Sequence, residues 1–69
     1  MKYRKIENGK YLLENASGVA FASITKYITA TRTVWSIEYN GEHIAEGRSR
    51  PEALENAAIK NDMFYRYMD

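Results

Sequence analysis

The stretch Trp35–Ala58, WSIEYNGEHIAEGRSRPEALENAA, decides the fold. Trp35, Ile37 and Tyr39 alternate with Ser36 and Glu38, the period of a strand with one buried face. Asn40-Gly41 follows, a pair that accepts the positive φ angles of a tight hairpin turn. His43 to Gly47 then returns as the partner strand, with Ile44 as its apolar anchor. Gly47 is expected to mark a bend where the chain leaves the sheet. Ser49-Arg50-Pro51-Glu52 reads as a capping box. The Ser49 hydroxyl can accept from the Glu52 amide while the Glu52 carboxylate returns to Ser49. Pro51 loses no needed hydrogen bond in a first helical turn. The helix is expected over about residues 50–67. Ala53, Leu54, Ala57, Ala58, Phe64 and Tyr65 would form the stripe that faces the sheet. Asn61 falls inside that stripe and would need partners there.

The N-terminal half supplies more strands. Glu7-Asn8-Gly9-Lys10 is a second Asn-Gly signal, expected as a type I′ turn between strands at about 3–7 and 10–14. Asn15-Ala16-Ser17-Gly18 is a loop by composition. Residues 19–30 are rich in β-branched and aromatic side chains and favour a long strand. Ala20, Ala22, Ile24 and Ile28 share one parity there, but Lys26 shares it too. Either a bulge near Thr25-Lys26 repairs the pattern or Lys26 sits at the sheet edge. The next strand covers about 32–39, and the last about 42–47. Strands first and a helix last imply one α+β domain over 1–69. The expected architecture is an antiparallel sheet of three or four strands packed on one C-terminal helix. Whether the first hairpin joins that sheet is left open.

Composition narrows the chemistry. With 69 residues and no cysteine, neither disulfides nor thiolate metal sites can support the small core. Compact packing or self-association must do so. No signal peptide or membrane span is read, so a cytoplasmic protein is expected, with no membrane partner. The net charge is +1, yet it is unevenly placed. Residues 1–35 hold six basic and two acidic side chains; residues 36–69 hold four and seven. A polarised chain can steer a charged partner or pair with itself. His43 is the single histidine, and Ser36, Ser49, Glu42 and Glu46 form no motif with it. No catalytic residue, metal ligand, cofactor or small-molecule substrate is therefore expected, and the chain reads as non-enzymatic.

Two surfaces stand out as partner-binding candidates. On the helix side away from the sheet, Ile59, Met63 and Tyr67 recur at i, i+4 and i+8 with nothing in a one-helix protein to cover them. On the sheet face opposite the helix, Phe21 and Tyr27 are expected beside Ser23, Val34, Ser36 and either Tyr3 or Tyr11. Tyrosine supplies contact area with few torsions to freeze. Arg4, Lys5, Lys10, Lys26 and Arg32 could let that face grip phosphates instead.

The pattern Trp35…Gly41…Gly47-x-Ser49-x-x-Glu52-Ala53 resembles the end of three-stranded-sheet-plus-helix DNA-binding domains. Ethylene-response-type domains and the arm-binding domains of tyrosine recombinases are of this kind. The resemblance implies a sheet that enters the major groove. This hairpin, however, carries Glu38, Glu42 and Glu46 where such a reader carries Arg and Lys, and carboxylates repel phosphate. In size and layout the whole chain is also similar to small phage- and prophage-encoded accessory proteins, anti-CRISPR proteins among them. That likeness implies a modulator or inhibitor of a host protein complex that acts by surface occlusion. The leading expectation is thus a protein-binding module whose partner is another protein or a second copy of itself. DNA binding through the sheet is the alternative.

Overall fold

The computed structural model describes residues 1–67, and for Tyr67 the backbone only. Five strands are followed by two short helices: β1 Lys2–Glu7, β2 Lys10–Glu14, β3 Ala20–Ile28, β4 Thr33–Tyr39, β5 Glu42–Gly47, α1 Arg50–Lys60 and α2 Asp62–Tyr67. The strands form one antiparallel sheet in sequence order, β1-β2-β3-β4-β5. The class is α+β, but the sheet has five strands, not three or four. The first hairpin joins it because β2 pairs with β3 along its whole length.

The two Asn-Gly turns differ. Asn40 and Gly41 both take positive φ, 54° and 77°, the type I′ pattern. At the first turn only Gly9 does, at 75°, so the expected type I′ turn is not formed. There the ladder slips between Lys5 and Glu7, and the irregularity absorbs the twist that a I′ turn would have supplied.

Phase errors along the strands are repaired by bulges elsewhere than expected. Through Thr25 and Lys26 the β3–β4 ladder is regular. The β2–β3 register instead shifts opposite Leu13 and Glu14, where Ala22 pairs with Leu13 and Ala20 with Glu14. The extra residue is Phe21, and this puts both Phe21 and Ala22 against the core. A second shift, between Ile37 and Glu38, leaves Ile44 unpaired and does the same for Ile44 and Ala45.

The core lies on one face of the sheet. Leu13, Ile24, Ile37 and Ala45 from the strands meet Ala53, Leu54, Ala57 and Phe64 from the helices. Alanines on α1 let it lie close to β5, and Gly47 permits the closest approach. A Cβ on Gly47 would stand 2.5 Å from the Ala53 amide nitrogen. Gly47 therefore serves the docking of the helix as well as the exit from the sheet. The Asn56 side-chain amide donates to the Glu46 carbonyl at 2.8 Å and ties α1 to β5.

The single long helix is replaced by two. Ser49 caps α1 as expected, its hydroxyl accepting from the Glu52 amide at 3.2 Å. The helix then stops at Asn61, whose φ and ψ of −143° and 109° are extended. Asn61 Oδ1 accepts from the amides of Met63 (2.9 Å) and Phe64 (3.2 Å), the N-cap arrangement of a new helix. A side chain that had no comfortable place in an apolar stripe thus breaks the helix and starts the next. The break turns Phe64 into the core and leaves Tyr65 exposed, contrary to the expected stripe.

Candidate functional site

Cross-strand pairing sorts the side chains by face, because paired residues point the same way. The covered face carries Tyr3, Leu13 and Ala22, then Tyr11, Ile24 and Ile37, then Lys26, Trp35 and Gly47. The open face carries four rows that run across the strands. The first is Lys2, Glu14 and Ala20; the second is Arg4, Leu12, Ser23, Glu38 and His43; the third is Glu7, Lys10, Thr25, Ser36 and Glu46; the fourth is Tyr27 and Val34. No element among the described residues covers this face.

Part of the covered face lies beyond the aliphatic core, and its occupant is a cation. The Arg50 guanidinium sits 4.6 Å from the Tyr3 ring centroid, 4.9 Å from that of Tyr11 and 5.6 Å from that of Trp35. Tyr3 meets Tyr11 edge to face, and Tyr11 meets Trp35 at a tilt, each pair 6.1 Å apart. Lys26 reaches over the same Trp35 ring at 5.8 Å. No carboxylate pairs with Arg50 among the described residues, and its partly exposed guanidinium lies against the three π faces. Burial raises the Tyr3 phenol above its ordinary 10.0, and the charge of Arg50 opposes that rise. Arg50 is held here because the Ser49 cap fixes the first turn of α1 beside Gly47, which pairs with Trp35.

The sequence-derived residues scatter when placed on this frame. Tyr3 and Tyr11 lie on the covered face, not the open one. Phe21 does too: its bulge turns it onto Phe64, with ring centroids 5.4 Å apart. Tyr27 is on the open face and 56% exposed. Ile28, which shares the parity of the buried Ile24, is 78% exposed at the end of β3. Ile59 and Met63 are exposed as expected, at 75% and 47%. They stand on two helices joined at Asn61, so the i, i+4, i+8 stripe of one helix does not exist. The side chain of Tyr67, its third member, lies outside the described residues. Tyr65, expected in the stripe that faces the sheet, is 60% exposed.

The five basic residues proposed for phosphate contact are divided as well. Arg4 and Lys10 are on the open face, and Arg32 borders it. Lys5 pairs with Tyr11 and Lys26 with Trp35 on the covered face. Arg4 is also engaged by Glu14 at 3.3 Å. Arg32 lines a shallow concavity of about 440 Å³ with Tyr27, Thr29, Val34, Ser36, Glu38, His43 and Glu46. Its place is set by Thr29, whose hydroxyl accepts from the Arg32 amide at 3.0 Å and donates to the Arg32 carbonyl at 2.9 Å. Four carboxylates, Glu7, Glu14, Glu38 and Glu46, interrupt the basic charge of this face.

Sequence reasoning missed the Arg50 cluster. Its signal was the equal parity of Tyr3, Tyr11 and Trp35 across adjacent strands, with an arginine directly after a helix cap. Among the described residues no three His, Asp or Glu side chains come together as a metal site would require. No helix there is long and apolar enough to cross a membrane. Compared with family models, curated proteins and solved structures, the chain matches none.

Proposed function

We propose that the chain is a non-enzymatic protein-binding module, and that it docks a partner protein at the α1–α2 corner. The observation that supports this is the exposure of Ile59 and Met63 on either side of the Asn61 break. The core already draws on both helices, and no element among the described residues covers these two side chains. Exposed apolar side chains favour removal from water by a partner. The mechanism is occlusion: the domain covers a working surface of its partner and performs no chemistry. In its sharpest form this is a phage-type modulator of a host protein complex.

A pull-down from a host lysate tests the reading, with wild type beside an Ile59→Asp, Met63→Glu double variant. Both residues are exposed, so the variant should keep its fold within about 0.5 kcal/mol per site. Recovery of a partner by wild type alone supports the corner. Equal recovery by both proteins contradicts it. Retention on duplex DNA that falls steeply with salt would replace protein binding with the DNA alternative.

A further inference from the structure

The aromatic half of the covered face gathers cations without a carboxylate among them. Arg50 lies against Tyr3, Tyr11 and Trp35, and Lys26 lies against the same Trp35 ring. Lys5 stands beside Tyr11 as its cross-strand pair. None of the three is in an ion pair among the described residues. The carboxylates stand elsewhere. Glu7, Glu14, Glu38 and Glu46 belong to the open face, and Glu42 pairs with Tyr39 toward the opposite edge of the sheet. Glu52 lines a concavity with Arg32 and Arg48. Glu55 is more than a helical turn along α1 from Arg50.

The rings position the guanidinium and leave its donors free. Arg50 donates no side-chain hydrogen bond to any described residue. No side-chain nitrogen among those residues is buried without a partner, so the Arg50 donors reach solvent. The backbone beneath is fixed by the Ser49 cap and by the close approach of Gly47 to Ala53. A guanidinium held this way has little rotamer freedom left to lose when its N–H edge takes two oxygens of one anion.

We propose that Arg50, Lys26 and Lys5 form a binding site for a phosphate monoester. Arg50 is the bidentate anchor, and the two lysines are flanking point charges. Charge favours phosphate over a carboxylate, because a phosphate monoester carries about 1.5 to 2 negative charges near pH 7. More than one cation is here to receive them. The helix amides take no part: Pro51 has no N–H, and the Glu52 and Ala53 amides already donate to Ser49 at 3.2 and 3.0 Å. The site is at the other end of α1 from Ile59, roughly 14 Å along the helix. It is therefore independent of the docking corner.

Trp35 is the single tryptophan of the chain, so its fluorescence reports occupation of the site. Inorganic phosphate is titrated at fixed ionic strength and about pH 8, where it is a dianion, with chloride and acetate as comparison anions. Wild type should show a saturable change with phosphate and a weaker one with acetate. Arg50→Gln should raise the half-saturating concentration about tenfold to a hundredfold. Lys26→Gln should raise it about threefold, as for an exposed charge pair. Arg50→Lys keeps the charge without the fork and should fall between them. Circular dichroism shows which variants are folded. Lys26 and Lys5 are exposed, so their glutamine variants keep the site testable if Arg50→Gln unfolds. Co-sedimentation with vesicles that carry a phosphate-monoester headgroup separates a lipid source from a soluble ester, and capture or its absence assigns one of the two. No saturable response to phosphate overturns the proposal, as does a response that chloride matches at equal ionic strength. So does a half-saturation that folded Arg50→Lys and Lys26→Gln both leave unchanged.

Discussion

The two faces of the sheet hold charge in different ways. On the covered face two cations lie against rings of the same chain: Arg50 against Tyr3, Tyr11 and Trp35, and Lys26 against Trp35. On the open face the cations stand beside carboxylates at the solvent surface: Arg4 pairs with Glu14, and Lys10 is directly across from Glu7. A charge that ends on an aromatic ring in a partly desolvated site contributes to folding. A charge paired at the solvent surface contributes little. The covered face is itself divided, with an aliphatic half under the helices and an aromatic half under one guanidinium.

The largest effect should come from breaking the aliphatic half. Phe64→Ala removes a fully buried ring that Phe21 and Tyr39 both pack against edge to face. A loss of about 3–5 kcal/mol is expected, enough to leave a domain of this size largely unfolded. Urea denaturation followed by circular dichroism measures it. Gly47→Ala probes the boundary of the two halves, since it drives a methyl group into the backbone of Glu52 and Ala53. That overpacking should lower stability by about 1–3 kcal/mol in the same assay. Arg50→Gln tests the aromatic half. It keeps polarity, removes the guanidinium and its charge, and should lose about 1–2 kcal/mol, while Arg50→Lys keeps part of the cation–π attraction. An unchanged urea midpoint in Arg50→Gln would show that the rings hold the hairpin without the cation.

The smallest effect is a pH dependence. The Tyr3 phenol is raised by burial, so the folded state holds its proton more tightly than the unfolded state does. Its contribution to stability is complete below the ordinary value of 10.0 and is lost as pH rises through the raised value. Tyr3→Phe should lack that part of the alkaline fall in a denaturation series around and above pH 10. Because Arg50 opposes the rise, the Arg50→Gln background should shift the fall to still higher pH.

Much of the covered face was legible in the sequence because local rules govern it. The alternation of Trp35, Ile37 and Tyr39, the Asn40-Gly41 turn and the Ser49 cap all formed where spacing placed them. The errors arose where tertiary packing overrode periodicity. A bulge lets Phe21 join the core out of phase; the broken alternation signalled a bulge without fixing its place, which is opposite Leu13 and Glu14 and not near Thr25-Lys26. Asn61 was recognised as misplaced in a helical stripe, but its remedy, a helix break that caps α2, depends on bringing Phe64 into the core. Tyr3 and Tyr11 could not be assigned to a face until the first hairpin was known to pair with β3. The open face was less legible still, because the row of Glu7, Lys10, Thr25, Ser36 and Glu46 draws on five strands and becomes visible only once the register is fixed.

The contrast between a face whose charge supports the fold and a face whose charge does not can be tested by urea denaturation of wild type, Arg50→Gln and Lys10→Gln side by side. Arg50→Gln should unfold with a loss of about 1–2 kcal/mol, because it takes the cation away from three rings. Lys10→Gln should stay within about 0.5 kcal/mol of wild type, since a charge at the solvent face contributes little. Equal losses in the two variants, or a larger loss in Lys10→Gln, would contradict the division of labour between the two faces.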